Sequence, residues 1–574
     1  MNGVPLERLK DSTFKRYSFT LVTRQCLRRF PMISICICVF VIYNLVPGDG
    51  HVRGSDPLVV NTKSGPVRGW ERLSRDGRLY QAWTKIPFAE PPIGKLRLKA
   101  PVAAGKWKGI LNATDEIPLC VQANGGEEDC LYLNVFRPKI QFSNLPVLAY
   151  VHGGSFQALD VGPRESADYL MDEDVVLVEI SYRLNGFGFM TFGDKVMPGN
   201  FGLKDQAMAL RWVKENIAAF GGNPNSVTVF GGSAGGASTH FLLKSPLCED
   251  LVTRAVSHSG TINHVWSLFE TEKVKSTTMN VVKLTGCSRK DNEETLKCLQ
   301  EVDAKALLMA IGQAQQMEAP DSIPYVPVIE PEGSEFAFAT EDLSMRPSTK
   351  PWITSTSNGE YQLFLHYATT VPVSYFQNMS LHLGGYLEDL IGKHIAVNSI
   401  KSEGSASMER AYVPEKLPLQ QFIVAMSKLY MDSGFIFPAI LNALKHEGPK
   451  WMSRMEYKGE LSTRDPITGI QNPDNVAGHD DEKFYYFNYR SRYQKIGPKE
   501  TPEDYAVSKR LIKYLVNFAY YGDPTPPGSP SRWNQFTGNE VLRITAQGDY
   551  QADQSYYQQL ANVLNTWFYY YGWN

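Results

Sequence analysis

The sequence predicts an α/β fold: a central, mostly parallel twisted sheet flanked by helices, with further helical insertions in its C-terminal half. Three observations predict it. Near-continuous apolar runs of strand length lie at residues 146–151 and 175–181, and such runs suit central strands covered on both faces. A helical period follows over residues 204–219, with Ala207, Leu210, Trp212, Val213 and Ile217 facing inward. The alternation then continues, strand 226–230 running into a glycine-flanked serine and a small-residue helix start. Strand and helix in alternation is the pattern of a parallel α/β sheet.

Taken in chain order, residues 1–29 are basic, with Lys10, Lys15, Arg16, Arg24, Arg28 and Arg29. An apolar run follows over residues 32–46, then Pro47-Gly48-Asp49-Gly50. The run is shorter than the roughly 20 residues of a spanning helix. With the small residues behind it, it predicts a secretory signal, so residues 1–50 are a leader and the protein is secreted. Met32 is an alternative start that would leave a conventional signal peptide. The rival is a short type II anchor, the one circumstance in which the chain would associate with a membrane.

Residues 57–574 read as a single domain. Strands are predicted at 58–62 and 65–70, and the later half carries helical periods at 293–309, 417–446 and 502–521. The aromatic end, residues 567–573, is too short for the tail of a lipid-anchor signal and is predicted to pack on the domain. With 43% hydrophobic residues and a net charge of −2, there is ample core and no case for a nucleic-acid partner. No Cys/His cluster of metal-site spacing occurs, and no cofactor is expected. The sequence does not disclose an oligomeric state.

Cysteine usage agrees with export. Cys26, Cys36 and Cys38 fall in the leader, whereas Cys120 and Cys130, and Cys287 and Cys298, form two short-range pairs in polar, loop-like stretches. Such pairs are disulfide candidates in an oxidising compartment. Cys248 is left over as a free thiol. Asn112 and Asn378 head two glycosylation sequons, usable only on an exported and exposed surface.

The chemistry centres on Gly231-Gly232-Ser233-Ala234-Gly235, a G-x-S-x-G nucleophile elbow. A sharp strand-to-helix turn exposes the serine hydroxyl in front of a helix N-terminus. A serine needs a base, an acid to orient that base, and donors for an oxyanion. His152-Gly153-Gly154-Ser155 follows a buried strand and resembles the glycine loop that supplies backbone N–H donors in α/β-hydrolases. The Ala234 N–H would add another. His479 is the candidate base, in a loop before an aromatic stretch, although alone it reads equally as a surface histidine beside three carboxylates. Glu360 is the candidate acid, in a polar turn at the end of an apolar strand, where open α/β sheets place their active sites. Ser233, Glu360 and His479 follow the α/β-hydrolase order of nucleophile, acid and histidine.

Longer stretches carry a more specific resemblance. Phe88-Ala-Glu-Pro-Pro-Ile-Gly-Lys-Leu-Arg-Leu98, Glu128-Asp-Cys-Leu-Tyr-Leu-Asn-Val135, Pro198-Gly-Asn-Phe-Gly-Leu-Lys-Asp-Gln206, Ala219-Phe-Gly-Gly-Asn-Pro224 and Asn517-Phe-Ala-Tyr-Tyr-Gly-Asp-Pro524 occur in order. They resemble the type-B carboxylesterase and cholinesterase family, including insect carboxylesterases and juvenile-hormone-esterase-like proteins, over roughly residues 57–574. The resemblance implies an α/β-hydrolase fold and a serine carboxylesterase working through an acyl-enzyme. It assigns Ser233 as nucleophile, Glu360 as acid and His479 as base, with Gly154, Ser155 and Ala234 at the oxyanion positions. It also implies disulfides Cys120–Cys130 and Cys287–Cys298, a buried Arg183–Asp205 pair, and Ser259 supporting the triad.

Departures from the family pattern bear on the substrate. Gly232 stands where the family usually has Glu, or Gln in juvenile hormone esterases. Ser155 replaces a Gly or Ala, and Tyr361 replaces a Gly after the acid. Losing a carboxylate beside the nucleophile weakens any preference for cationic leaving groups. The loop between Cys120 and Cys130 holds no aromatic residue, so the cation–π contact by which cholinesterases hold quaternary ammonium is missing. A lipophilic, uncharged small ester is therefore the expected substrate. The alternative is a catalytically weak or inactive cholinesterase-like adhesion, binding or scavenger protein.

Overall fold

Every residue of Leu145–Val151 and of Val176–Ile180 is buried, as befits strands that are apolar on both faces and lie inside a sheet. The computed structural model describes residues 56–141, 143–158, 167–317, 323–392, 398–462, 476–488 and 500–552. The leader with its signal or anchor, Cys26, Cys36, Cys38 and the aromatic run 567–573 lie outside them.

Fourteen strands are formed among these residues: β1 Val59–Asn61, β2 Pro66–Arg68, β3 Trp70–Leu73, β4 Leu79–Pro87, β5 Leu111–Asn112, β6 Tyr132–Pro138, β7 Leu145–Val151, β8 Val176–Ile180, β9 Gly222–Gly232, β10 Arg254–His258, β11 Trp352–Ser357, β12 Lys450–Met455, β13 Val541–Thr545 and β14 Gly548–Gln551. The first two pair with β5 in a small sheet. The other eleven form one sheet in the order β14-β13-β12-β11-β10-β9-β7-β8-β6-β4-β3. Pairing is parallel from β13 through β8 and antiparallel at both ends. This is the α/β-hydrolase arrangement, with a mostly parallel sheet between two apolar layers.

Strand order reverses at β7, which lies between β8 and β9. Crevices open at the C-terminal ends of strands at such a switch point. The loops that leave β7, β9, β10 and β11 carry Gly154, Ser233, Ser259 and Glu360, so parallel pairing alone collects these residues on one edge.

Helices follow the predicted periods with two breaks. Residues 293–309 divide into Asn292–Glu301 and Ala304–Met317, because the Asp303 carboxylate accepts from the Lys305 and Ala306 N–H groups and starts a second helix. Residues 417–446 divide into Leu419–Met431, a π-helical turn Asp432–Ile436, and Phe437–Lys445. Pro438 has no N–H to continue the ladder. The whole stretch is long and apolar enough to cross a membrane, yet it lies mostly buried inside the fold, as a core helix does. Helices Tyr361–Thr370, Val373–Leu381, Leu383–Gly392 and Asn398–Tyr412 complete the C-terminal insertion.

Cys120–Cys130 and Cys287–Cys298 are disulfide-bonded. Cys248 is a free, buried thiol, pushed up to about 12 by burial and so held unreactive. Asn112 and Asn378 are both exposed.

Just past the C-terminal end of β8, Arg183 and Asp205 form a buried bidentate pair, Nη2 to Oδ1 at 2.6 Å and Nε to Oδ2 at 2.8 Å. The Arg183 backbone N–H also donates to Oδ2, and its Nη1 reaches the Lys99 carbonyl at 2.8 Å. Asp205→Ala leaves the guanidinium buried and unpaired, so it is expected to cost about 3–5 kcal/mol in urea unfolding. A cost below about 1 kcal/mol would show that the pair does not brace this region.

Candidate active site

Ser233 occupies the turn between β9 and the helix Ala234–Lys244, at φ 56° and ψ −127°. A non-glycine residue holds such a conformation only where its surroundings over-determine it. Here its N–H donates to the His258 carbonyl at 2.8 Å and its own carbonyl accepts from Ala237 at 2.9 Å. The glycines permit the approach. A Cβ on Gly235 would stand 2.1 Å from the Val151 carbonyl oxygen, and one on Gly153 would stand 2.7 Å from the Gly232 oxygen and 3.2 Å from the Ser233 Cβ.

The glycine loop after β7 therefore lies directly against the elbow. Gly154 and Ser155 both have positive φ, 104° and 57°. The Tyr182 hydroxyl donates to the His152 carbonyl at 2.8 Å and its ring stacks on the imidazole, fixing the start of the loop. Ala234 is the first residue of its helix, so its N–H has no intrahelical partner.

Glu360 sits just past β11 and is fully buried. Its Oε2 accepts from His479 Nδ1 at 2.5 Å. Its Oε1 accepts from the Ser259 hydroxyl at 2.6 Å and the Ser357 N–H at 2.8 Å. The carboxylate is thus held through Oε1 and presents Oε2 to the imidazole. The opposite nitrogen, His479 Nε2, is buried and makes no hydrogen bond among the described residues. Burial disfavours the imidazolium, but the Glu360 charge and hydrogen bond outweigh it, and Asp480 adds to them; the His479 pKa lies above the ordinary 6.5.

The surface-histidine reading of His479 is overturned by its neighbours: Asp480, Asp481 and Glu482 are all buried. Two ties hold their loop to the sheet edge, and a third contact closes the loop on itself. Gly478 makes a parallel bridge with Gly359, next to Glu360. Asp481 accepts from the Gly478 N–H at 2.7 Å, and burial pushes its carboxyl up to about 8. Glu482 accepts from the Ser355 hydroxyl at 2.7 Å and lies 3.5 Å from His258. The Glu482 pKa is held below its ordinary value, since His258 and these hydrogen bonds overcome the cost of burial.

Sequence reading singled out Ser233, Glu360, His479 and Ser259, and they meet on one edge. It missed His258, Ser355 and Glu482 beneath them. For His258 and Ser355 the one signal is register: His258 pairs with Gly232 on one side and with Ser355 on the other. It also missed an aromatic wall, in which the Phe435 ring meets His479 edge-on at 4.9 Å and continues to Trp266 at 5.9 Å and Tyr430 at 5.9 Å.

The model of the carboxylesterase family matches residues 56–564. Venom carboxylesterase-6 of Apis mellifera is 31% identical over 492 residues, covering 81% of this chain and 86% of that protein. Juvenile hormone esterase of Tribolium castaneum is 32% identical over 502 residues, covering 82% and 84%. Among solved structures, juvenile hormone esterase from Manduca sexta with OTFP covalently attached superposes with a TM-score of 0.80 at 25% identity, covering 90% of this chain and all of that one.

A base works only when neutral, so reaction at Ser233 is lost as pH falls through the His479 pKa. Glu360→Gln removes the main influence that raises that pKa. The acid limb of Ser233 labelling by a fluorophosphonate is expected to move to lower pH, with the neutral-pH rate falling by about 10³–10⁴. A limb that stays in place would dissociate Glu360 from His479.

Proposed function

This chain belongs to the carboxylesterase family, and from that premise we propose that it hydrolyses its ester by acyl transfer through Ser233. The chain is a carboxylic ester hydrolase acting on a small-molecule ester. His479 Nε2 takes the Ser233 proton as the hydroxyl attacks the ester carbonyl. Glu360 steadies the imidazolium, and the N–H groups of Gly154, Ser155 and Ala234 receive the oxyanion. The imidazolium then protonates the departing alcohol, and water, activated by the same imidazole, releases the acid from the acyl-enzyme. The single observation that carries this reading is the 2.5 Å Glu360–His479 contact with an unpartnered Nε2. The same contact argues against an inactive adhesion or scavenger protein, which has no need of an oriented imidazole.

The ester is lipophilic and uncharged. The aromatic wall of Phe435, Trp266 and Tyr430 supports this, as does the lack of an aromatic residue between Cys120 and Cys130. The elbow carries Gly232 rather than the Gln of juvenile hormone esterases, so that hormone is not the proposed substrate. Secretion is supported by the two disulfides, the exposed sequon asparagines and the short apolar leader.

Hydrolysis of p-nitrophenyl esters is expected to show a burst equal to the enzyme concentration, followed by turnover. Ser233→Ala is expected to lower kcat by about 10⁴-fold or more while the protein stays folded. Retained turnover in that variant would remove Ser233 from the mechanism. Export can be checked separately: the secreted protein should begin after residue 46 and shift in mass on deglycosylation, whereas an intact N-terminus held in membranes would establish the anchor.

A further inference from the structure

Gly232 is the elbow residue that departs from the family pattern, and the structure gives a reason for its lack of a side chain. A Cβ built there would lie 1.6 Å from Asp480 Oδ1, 2.1 Å from its Cγ and 2.4 Å from Oδ2. The space beside the nucleophile that a side chain on residue 232 would fill is occupied by the carboxylate of Asp480, which enters from the histidine loop. Asp480 is buried, at 3% exposure, and turns through the left-handed region at φ 58°. Aspartate tolerates that region better than most residues. The elbow therefore has no carboxylate of its own but keeps one at its side.

We propose that Asp480 is the positioning carboxylate of this site: seated on Gly232, it holds His479 in register with Ser233 and keeps negative charge beside the imidazolium that forms during attack. The geometry leaves little freedom. Asp480 directly follows His479, so any side chain on residue 232 would push back the base itself. Charge acts in the same direction, since a fixed anion beside a developing cation stabilises it most where water is excluded. The groups facing this carboxylate are His479, Lys483 with Nζ 3.6 Å from Oδ2, Glu482, His258 and Tyr486. Burial pushes the Asp480 carboxyl up to about 6, against the pull of Lys483 and His479. It is ionised above that pH, where the reaction needs His479 neutral. The proposal rests on Ser233 and His479 as nucleophile and base.

The test is a set of three variants, Asp480→Asn, Gly232→Glu and the double Gly232→Glu with Asp480→Gly, each read as a pH profile of kcat/KM with folding followed by thermal unfolding. Asp480→Asn keeps the shape and removes the charge; the acid limb should move to lower pH, with kcat falling more than KM changes. Gly232→Glu alone should displace the histidine loop and lower kcat/KM by up to about 100-fold. Gly232→Glu with Asp480→Gly, which returns the carboxylate to the elbow, should recover most of that loss and the wild-type limb. An unmoved limb in Asp480→Asn, or a double variant no better than Gly232→Glu alone, overturns the proposal even where Ser233 still takes the fluorophosphonate. Failure of the wild-type protein to be labelled at Ser233 would overturn the nucleophile reading, and this proposal with it.

Discussion

Parallel pairing of β7, β9, β10 and β11 is the constraint on which the rest of the site depends. In a parallel ladder the strand ends on one edge lie side by side, so their loops share one space. Gly232, His258 and Ser355 stand abreast in register. The elbow, the Ser259 turn and the Glu360 turn begin from that row. A shift of register between β9 and β10, or between β10 and β11, would separate Glu360 from Ser233.

On this row the histidine loop is docked, from 119 positions beyond Glu360. Its ties differ in kind: a backbone bridge from Gly478 to Gly359, a close seat of Asp480 on Gly232, and a hydrogen-bonded group of Glu482 with Ser355 and His258. Three buried carboxylates in succession would be costly if left alone. Each has a local partner here, whether a backbone N–H, a lysine, or a histidine with a serine hydroxyl. Of these partners Ser355 and His258 belong to the sheet edge, so the Glu482 charge is satisfied only when the loop is docked there.

The elbow shows how close packing and chemistry share the same glycines. Ser233 is strained, and the strain is held by its hydrogen bonds to the His258 carbonyl and the Ala237 N–H. Gly235 lets the helix start lie against the end of β7, and Gly153 lets the glycine loop lie against the serine. The departure at Gly232 read in sequence as a lost carboxylate, and in the fold the carboxylate comes from another loop.

The sequence by itself determined the fold class, the family and the disulfide pairs, and it singled out Ser233, because each of these is written in local signals. Strand runs, glycine spacing and turn residues are short-range, and short-range patterns survive in one dimension. Glu360 and His479 were legible through chain order and the family stretch, but nothing local set His479 apart from a solvated histidine. Only the tertiary structure decided that its three acidic neighbours are buried, that His258, Ser355 and Glu482 support them, and that Asp480 fills the place of a side chain at Gly232. The contacts of Glu482 with Ser355 and of Asp480 with Gly232 join residues more than a hundred positions apart. Whether a carboxylate is buried, and against what, is settled by packing across the sheet edge, which no local pattern encodes.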